Sequence, residues 1–233
     1  MLEVKDLHVG YYKDLNILQG VSITAHEAKI TTVLGANGVG KSTLLKAVYG
    51  FLAPNSGEVL LEGQSILGIP THKRIDKGIS YIPQQPGIFR WMTVEENLEL
   101  GGWTFRNDKD RIQRKLEENY QRFPVLKERR KSKAGELSGG MQRMVEVGRT
   151  LMTDPKVILV DEPTAGLAKL LSEEVYNMLV QLRDQEEMTI VLVDQEIRQA
   201  LKIADYVYVL ELGRNRFEGP VEEFTDLKKA FWV

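Results

Sequence analysis

Apolar positions along the chain follow two rhythms. In the short runs Lys29 to Leu34, Ile79 to Ile82, Val157 to Val160 and Thr189 to Val193, apolar and β-branched residues dominate. That is the pattern of strands buried on both faces of a parallel sheet. Val4 to Val9, Ile17 to Ile23 and Val59 to Leu61 read as strands of an N-terminal β layer, and Tyr206 to Leu210 as one more strand. Segments of helical period, among them Thr43 to Tyr49 and Met141 to Leu151, stand beside these runs, so the chain is expected to form a mixed α/β domain. From Pro86 to Asp154 no run reads as a buried strand, and long charged helical patterns replace them, at Thr93 to Asn97 and Asp108 to Phe123. The expected organisation is one domain with a core of residues 1–85 and 155–233 and an inserted helical lobe of residues 86–154. Asn107 to Lys133 carries charges of both signs and is expected to be a solvated helix with i,i+4 pairs.

The 233 residues suit one domain, or one domain with an inserted lobe, at about 100–200 residues per domain. With 31 Lys and Arg against 33 Asp and Glu, the net charge of −2 lacks the broad basic footprint of a nucleic-acid binder, and no nucleic-acid partner is expected. The absence of cysteine excludes disulfides, thiolate metal sites and a cysteine nucleophile, and fits a reducing compartment. Met1 to Asp6 reads as neither signal nor transit peptide. Val157 to Val160 and Ile190 to Val193 fall far short of the about 20 apolar residues of a spanning helix, so membrane association is expected only through a partner. His8, His26 and His72 match no ligand spacing and read as surface or loop residues.

One segment carries specific chemistry. Gly35-Ala36-Asn37-Gly38-Val39-Gly40-Lys41-Ser42-Thr43 matches the phosphate-loop pattern G-x-x-x-x-G-K-[ST], and it lies between an expected strand and an expected helix, as that motif requires. Its glycines let the backbone wrap a phosphate, the loop N–H groups and the helix N-terminus face the anion, and Lys41 adds a point charge. Ser42 is placed to ligate Mg²⁺, and Thr43 to add a phosphate contact. A second element of such a site is an apolar strand ending in an acid, and Val157 to Val160 followed by Asp161 and Glu162 supplies it. Asp161 is expected to hold the metal through water and Glu162 to polarise the attacking water as general base.

Between these elements lies Leu137-Ser138-Gly139-Gly140-Met141-Gln142, and here the chain resembles the ABC-type ATPases, from Leu2 to about Gly219. The resemblance implies a RecA-like P-loop NTPase core with an N-terminal antiparallel β layer and an inserted α-helical subdomain. It implies Mg²⁺-dependent ATP hydrolysis in a head-to-tail ATPase dimer, in which Ser138, Gly139 and Gly140 cap the γ-phosphate on the partner's phosphate loop. Tyr12 matches the aromatic that stacks on adenine, with Tyr11 as its neighbour in an open register. Gln84 matches the glutamine that touches Mg²⁺ and begins the joint to the helical lobe, with Gln85 as its competitor. Thr164 to Leu167 resembles the loop that crosses the dimer interface.

Two departures narrow the resemblance. Ala168 stands where most of the family has Asp, and Gln195 replaces the histidine that senses the γ-phosphate; its amide donates a hydrogen bond but carries no charge. Both are similar to the second ATPase subunit of branched-chain amino-acid importers, as are Ile88-Phe89, Thr93 to Leu98 and Arg198 to Ala204. That subfamily implies transmembrane permease partners, an extracellular or periplasmic solute-binding protein acting indirectly, and a place on the cytoplasmic face of the membrane. A urea or amide importer, a soluble ABC ATPase and a non-catalytic subunit stay open as alternatives.

Overall fold

The strand-like runs assemble into two sheets in the structure, a computed structural model that describes residues 1–11 and 15–224. The first is antiparallel, with β1 (Leu2–Val9), β2 (Leu18–Ala25), β4 (Ser56–Leu61) and β5 (Gln64–Ser65) in the order β2-β1-β4-β5. The second contains β3 (Ile30–Leu34), β6 (Ile79–Ile82), β7 (Val157–Asp161), β8 (Thr189–Val193), β9 (Tyr206–Glu211) and β10 (Arg214–Pro220) in the order β10-β9-β3-β8-β7-β6. It is parallel except where β10 runs against β9. The described residues also hold the α-helices α1 (Lys41–Tyr49), α2 (Thr71–Arg74), α3 (Val94–Gly101), α4 (Lys109–Arg122), α5 (Pro124–Glu128), α6 (Gly139–Leu151), α7 (Lys169–Glu186) and α8 (Ile197–Ile203), three short 3-10 turns, and a last helical turn over 221–224.

The two-residue period of a strand divides the core into two layers. In β7, Ile158 and Val160 face a cluster shared with α3, α4, α6, α7 and α8, while Val157 and Leu159 face the cluster built from α1 and the antiparallel sheet. Every residue of β3, β7 and β8 is buried, which is why apolar and β-branched residues dominate those segments on both faces.

Two strands lie outside the sequence expectations. β5 has two exposed residues. β10 is a largely polar edge strand joined to β9 through Leu212 and Gly213, both at positive φ (48° and 76°), the backbone of a tight hairpin turn. Polar edges carry no hydrophobic run for a pattern to detect.

From residue 86 to 154 the described chain holds helices and a single isolated bridge, Thr93 with Lys133. The stretch expected to be one solvated helix is instead broken. α4 stops at Arg122 and α5 starts at Pro124, because proline has no N–H to continue a helix but suits a first turn. One face of the pair is also buried, through Leu116, Tyr120, Phe123 and Leu126. His26 and His72 are exposed, but His8 sits half-buried in β1, 3.3 Å from Asp6, rather than in a loop.

Candidate active site at the carboxyl edge of the parallel sheet

Strand register decides which loops meet. Val33 pairs with Val193, Val193 with Asp161, and Val160 with Ile82. β3, β8, β7 and β6 therefore end at one level, and four loops leave from one edge: Gly35 to Gly40, Asp194–Gln195, Glu162–Pro163 and Pro83–Gln84. Open parallel sheets bind ligands at this edge.

The phosphate loop enters α1 through Gly40, at φ 107° and without a side-chain cap. A Cβ there would lie 2.5 Å from Leu18 Cδ2, so both conformation and space require glycine. Ala36, Asn37 and Gly38 are exposed, Gly35 and Val39 half-buried, and Thr43 buried. Lys41 is 4% exposed, and its Nζ donates to Gly35 O at 2.9 Å and Ala36 O at 3.2 Å. Burial pushes its ammonium pKa down, against the pull of the Glu162, Asp161 and Asp194 carboxylates.

Ser42 Oγ donates to Asp161 Oδ1 at 2.8 Å, and the Tyr81 hydroxyl donates to Oδ2 at 2.8 Å. Burial pushes the Tyr81 phenol well above its ordinary range, which keeps it a donor. Next in the chain, Glu162 is 7% exposed and has a left-handed φ of 41°; strain of this kind persists where the surroundings over-determine it. Its N–H donates to Val193 O at 2.8 Å. Its Oε2 accepts from Gln84 Nε2 at 2.6 Å and from Gln195 Nε2. Gln84, Glu162 and Gln195 thus meet at one oxygen, and the Gln84 amide lies on Glu162 rather than on the Ser42–Asp161 pair. That pair is a hydroxyl and a carboxylate, hard oxygen donors that fit Mg²⁺, which typically takes one or two carboxylates together with phosphates and waters. Among the described residues no group of three or more acids and histidines is arranged to hold a metal ion by itself.

Asp194, to which the sequence assigned no role, is buried behind Gln195. It accepts from the Tyr176 hydroxyl at 2.9 Å and from the N–H groups of Gln195 and Glu196 at 2.7 and 2.9 Å. Burial pushes its carboxyl up, and these donors oppose the shift. Tyr81 and Tyr176 also escaped sequence reasoning, because an apolar strand or helix tyrosine carries no sign of where its hydroxyl points.

Ser138 caps α6, its Oγ accepting from Met141 N at 3.3 Å. A Cβ on Gly139 would lie 2.9 Å from Leu167 Cδ2, and one on Gly140 would lie 3.0 Å from Leu171 Cδ2. The two glycines therefore let α6 approach the loop after Glu162 and the start of α7, a packing role within the chain. Tyr12 lies outside the described residues; neighbouring Tyr11 is exposed.

Comparison with known proteins shows the family. Residues 18–165 match the family described as ABC transporter. The high-affinity branched-chain amino acid transport ATP-binding protein BraG of Pseudomonas aeruginosa is 43% identical over 204 residues, 88% of this chain and 86% of its own length. The probable branched-chain amino acid transport ATP-binding protein LivF of Archaeoglobus fulgidus is 39% identical over 229 residues, covering 98% and 96% of the two chains. Among solved structures, the ADP conformation of an ATP-binding cassette of an ABC transporter superposes with a TM-score of 0.86 at 31% identity, covering 100% of this chain and 95% of that one. The phosphate loop, the Asp161–Glu162 strand end and the Ser138 turn thus stand in one fold, and the chain belongs to the ABC transporter family, as an ATP-hydrolysing nucleotide-binding cassette.

Proposed function

We propose that the chain is an ATPase subunit of a branched-chain amino-acid importer. It pairs head-to-tail with a second ATPase, most simply a different one given Ala168 and Gln195. It is held on the cytoplasmic face of the membrane by permease subunits that receive solute from a binding protein. The observation that carries the catalytic part is the convergence of Gln84 and Gln195 on Glu162, beside the Ser42–Asp161 pair. Likeness to the two amino-acid transport subunits supports the choice of solute.

ATP would lie on the Gly35 to Thr43 loop, with Tyr12 against the base. Lys41 exchanges the loop carbonyls of Gly35 and Ala36 for phosphate oxygens, while the loop N–H groups and the end of α1 neutralise charge. Ser42 and Asp161 would hold Mg²⁺ with the side-chain oxygen of Gln84, whose amide nitrogen is the atom that donates to Glu162; the ion would screen charge on the phosphates. Glu162, oriented by two amides, accepts the proton of the attacking water as the oxygen bonds to the γ-phosphorus, the bond to the leaving ADP oxygen breaks, and phosphate departs. Ser138, Gly139 and Gly140 of each chain close over the partner's nucleotide. No described helix is long and apolar enough to cross a membrane, in keeping with attachment through the permease. The seat for a permease helix in this reading is the cleft of about 520 Å³ that includes Tyr49, Tyr81, Phe89, Leu100 and Trp103, together with Trp91, two positions after Phe89 and 86% exposed.

The test is the mass of full-length Glu162→Gln in solution with and without ATP. A shift from monomer to dimer means two copies close on each other, whereas ATP binding without dimerisation means the partner ATPase is a different chain. Uptake of labelled leucine into cells expressing the complex decides the solute: urea or amide uptake in its place overturns the amino-acid assignment. Unchanged membrane recruitment and transport after Phe89→Ala and Trp91→Ala would move the docking site elsewhere.

A further inference from the structure

Arg143 and Glu146 lie one turn apart on α6 with side chains 2% and 1% exposed, and Arg143 Nη1 donates to Glu146 Oε2 at 2.5 Å. Replacing a buried ion pair with apolar residues often leaves stability unchanged, so attraction between the two does not explain their presence. The explanation lies in where their remaining bonds go. Arg143 Nη1 donates to Pro83 O at 2.8 Å and Nη2 to Gln84 O at 2.7 Å, while Glu146 Oε1 accepts from Gly87 N at 2.6 Å. Three backbone groups in the segment leaving β6 are thus held by one pair of side chains on α6. On its far side the same segment is held by fully buried Asn97, which accepts from Phe89 N and donates to Phe89 O, at 2.8 and 2.9 Å. The segment itself belongs to no strand or helix. Gln84, whose carbonyl is clamped by Arg143, is the residue whose amide donates to Glu162 at 2.6 Å.

We propose that Arg143 and Glu146 are positioning residues: they fix the Gln84 backbone so that its amide orients Glu162, and they tie that orientation to the helix opened by Ser138. The proposal rests on the reading of Glu162 as the general base. The planar guanidinium fork is what makes the arrangement possible, because it presents parallel donors to two successive carbonyls, which an ammonium cannot match. A displacement of α6 when a partner nucleotide engages its N-terminus is then passed to Gln84 through rigid hydrogen bonds, and the base is aligned only when α6 is in place. Neither Arg143 nor Glu146 touches the phosphate loop, Asp161 or Glu162 in the hydrogen bonds of the structure, so their effect falls on turnover and leaves nucleotide affinity alone.

A purely structural pair and a positioning pair respond differently to Arg143→Met combined with Glu146→Leu, which removes both charges and keeps the volume. The full chain in its membrane complex is assayed for thermal midpoint, ATP affinity, KM and kcat, with Glu162→Gln in parallel. The expected result is a midpoint and ATP affinity like wild type, KM within about twofold, and kcat lower by about tenfold or more, as for a misplaced catalytic group. Arg143→Lys, which keeps the charge but not the fork, is expected to lose most of the same turnover. Wild-type kcat in either variant overturns the proposal, as does a raised KM with kcat unchanged. If the double variant does not fold, Arg143→Lys decides. Wild-type turnover in Glu162→Gln would instead remove the base on which the proposal rests, a failure read separately from that of the clamp.

Discussion

The carboxyl edge of the parallel sheet and the helical segment from 86 to 154 place their functional groups by different physics. At the sheet edge, Gly35, Glu162 and Gln195 follow strands whose register is locked by backbone ladders and whose side chains are buried on both faces. A one-residue slip there would turn every side chain to the other face, so the site's geometry is inseparable from the core. In the helical segment, the irregular chain between β6 and α3 is positioned by polar side chains: Asn97, Arg143 and Glu146, with the capping box of Thr93 and Glu96 at the start of α3. Ladders resist displacement collectively. Side-chain clamps concentrate the same task in a few groups, so that region is easier to uncouple by single substitutions.

The largest effect expected within this contrast is at the sheet edge. Glu162→Gln should lower turnover by about 10²- to 10⁴-fold, the range of general-base removal, while ATP binding is retained, as measured by steady-state hydrolysis and equilibrium binding. The next concerns the clamp: Arg143→Met alone leaves Glu146 buried without its partner and should cost about 3–5 kcal/mol of stability in denaturant titration. A loss below about 1 kcal/mol would mean that the pair is solvated and that the contrast between the regions is overstated.

Smaller effects probe the helix starts. The Thr93 hydroxyl accepts from Glu96 N at 3.1 Å while Glu96 Oε2 accepts from Thr93 N at 2.7 Å, so Thr93→Ala should cost about 1 kcal/mol. The hydrogen bond from Thr93 N, with a further one from its hydroxyl, holds the Glu96 carboxyl below its ordinary value. A carboxylate depressed by folding stabilises above its unfolded pKa and loses that contribution as pH falls. The stability difference between wild type and Thr93→Ala should therefore shrink on acidification, and a constant difference would assign the effect to the hydroxyl alone. Ser138→Ala removes a longer, exposed cap at 3.3 Å and should cost about 0.5 kcal/mol, the low end of such losses.

Much of the sheet was legible in the chain. β6 and β8 coincide with the apolar runs that predict them, and β3 and β7 differ by one residue at one end, because a strand buried on both faces needs no polar position. The phosphate loop was legible for a related reason: glycine spacing and a lysine before Ser42 act locally. The clamp was hidden, since Arg143 and Glu146 look like an ordinary exposed i,i+3 pair on a helix. Only burial under Pro83, Gln84 and Gly87 separates them from the more exposed i,i+3 pair of α4, Lys115 with Glu118. Asn97 was hidden in the same way within Thr93-Val-Glu-Glu-Asn97, where a polar residue in a charged helix gives no sign that it is fully buried.

The sequence alone determined the buried strands of the parallel sheet, the phosphate loop, the acidic pair at the end of β7 and the helix opened by Ser138, because each follows from preferences acting over a few neighbouring residues. The tertiary structure alone decided that Ser42 meets Asp161 across 119 positions, that Gln84 and Gln195 share one oxygen of Glu162, and that α6 holds the segment leaving β6. Those meetings depend on sheet order and register, which arise from pairing between distant segments, and no local pattern encodes which strand will lie beside which.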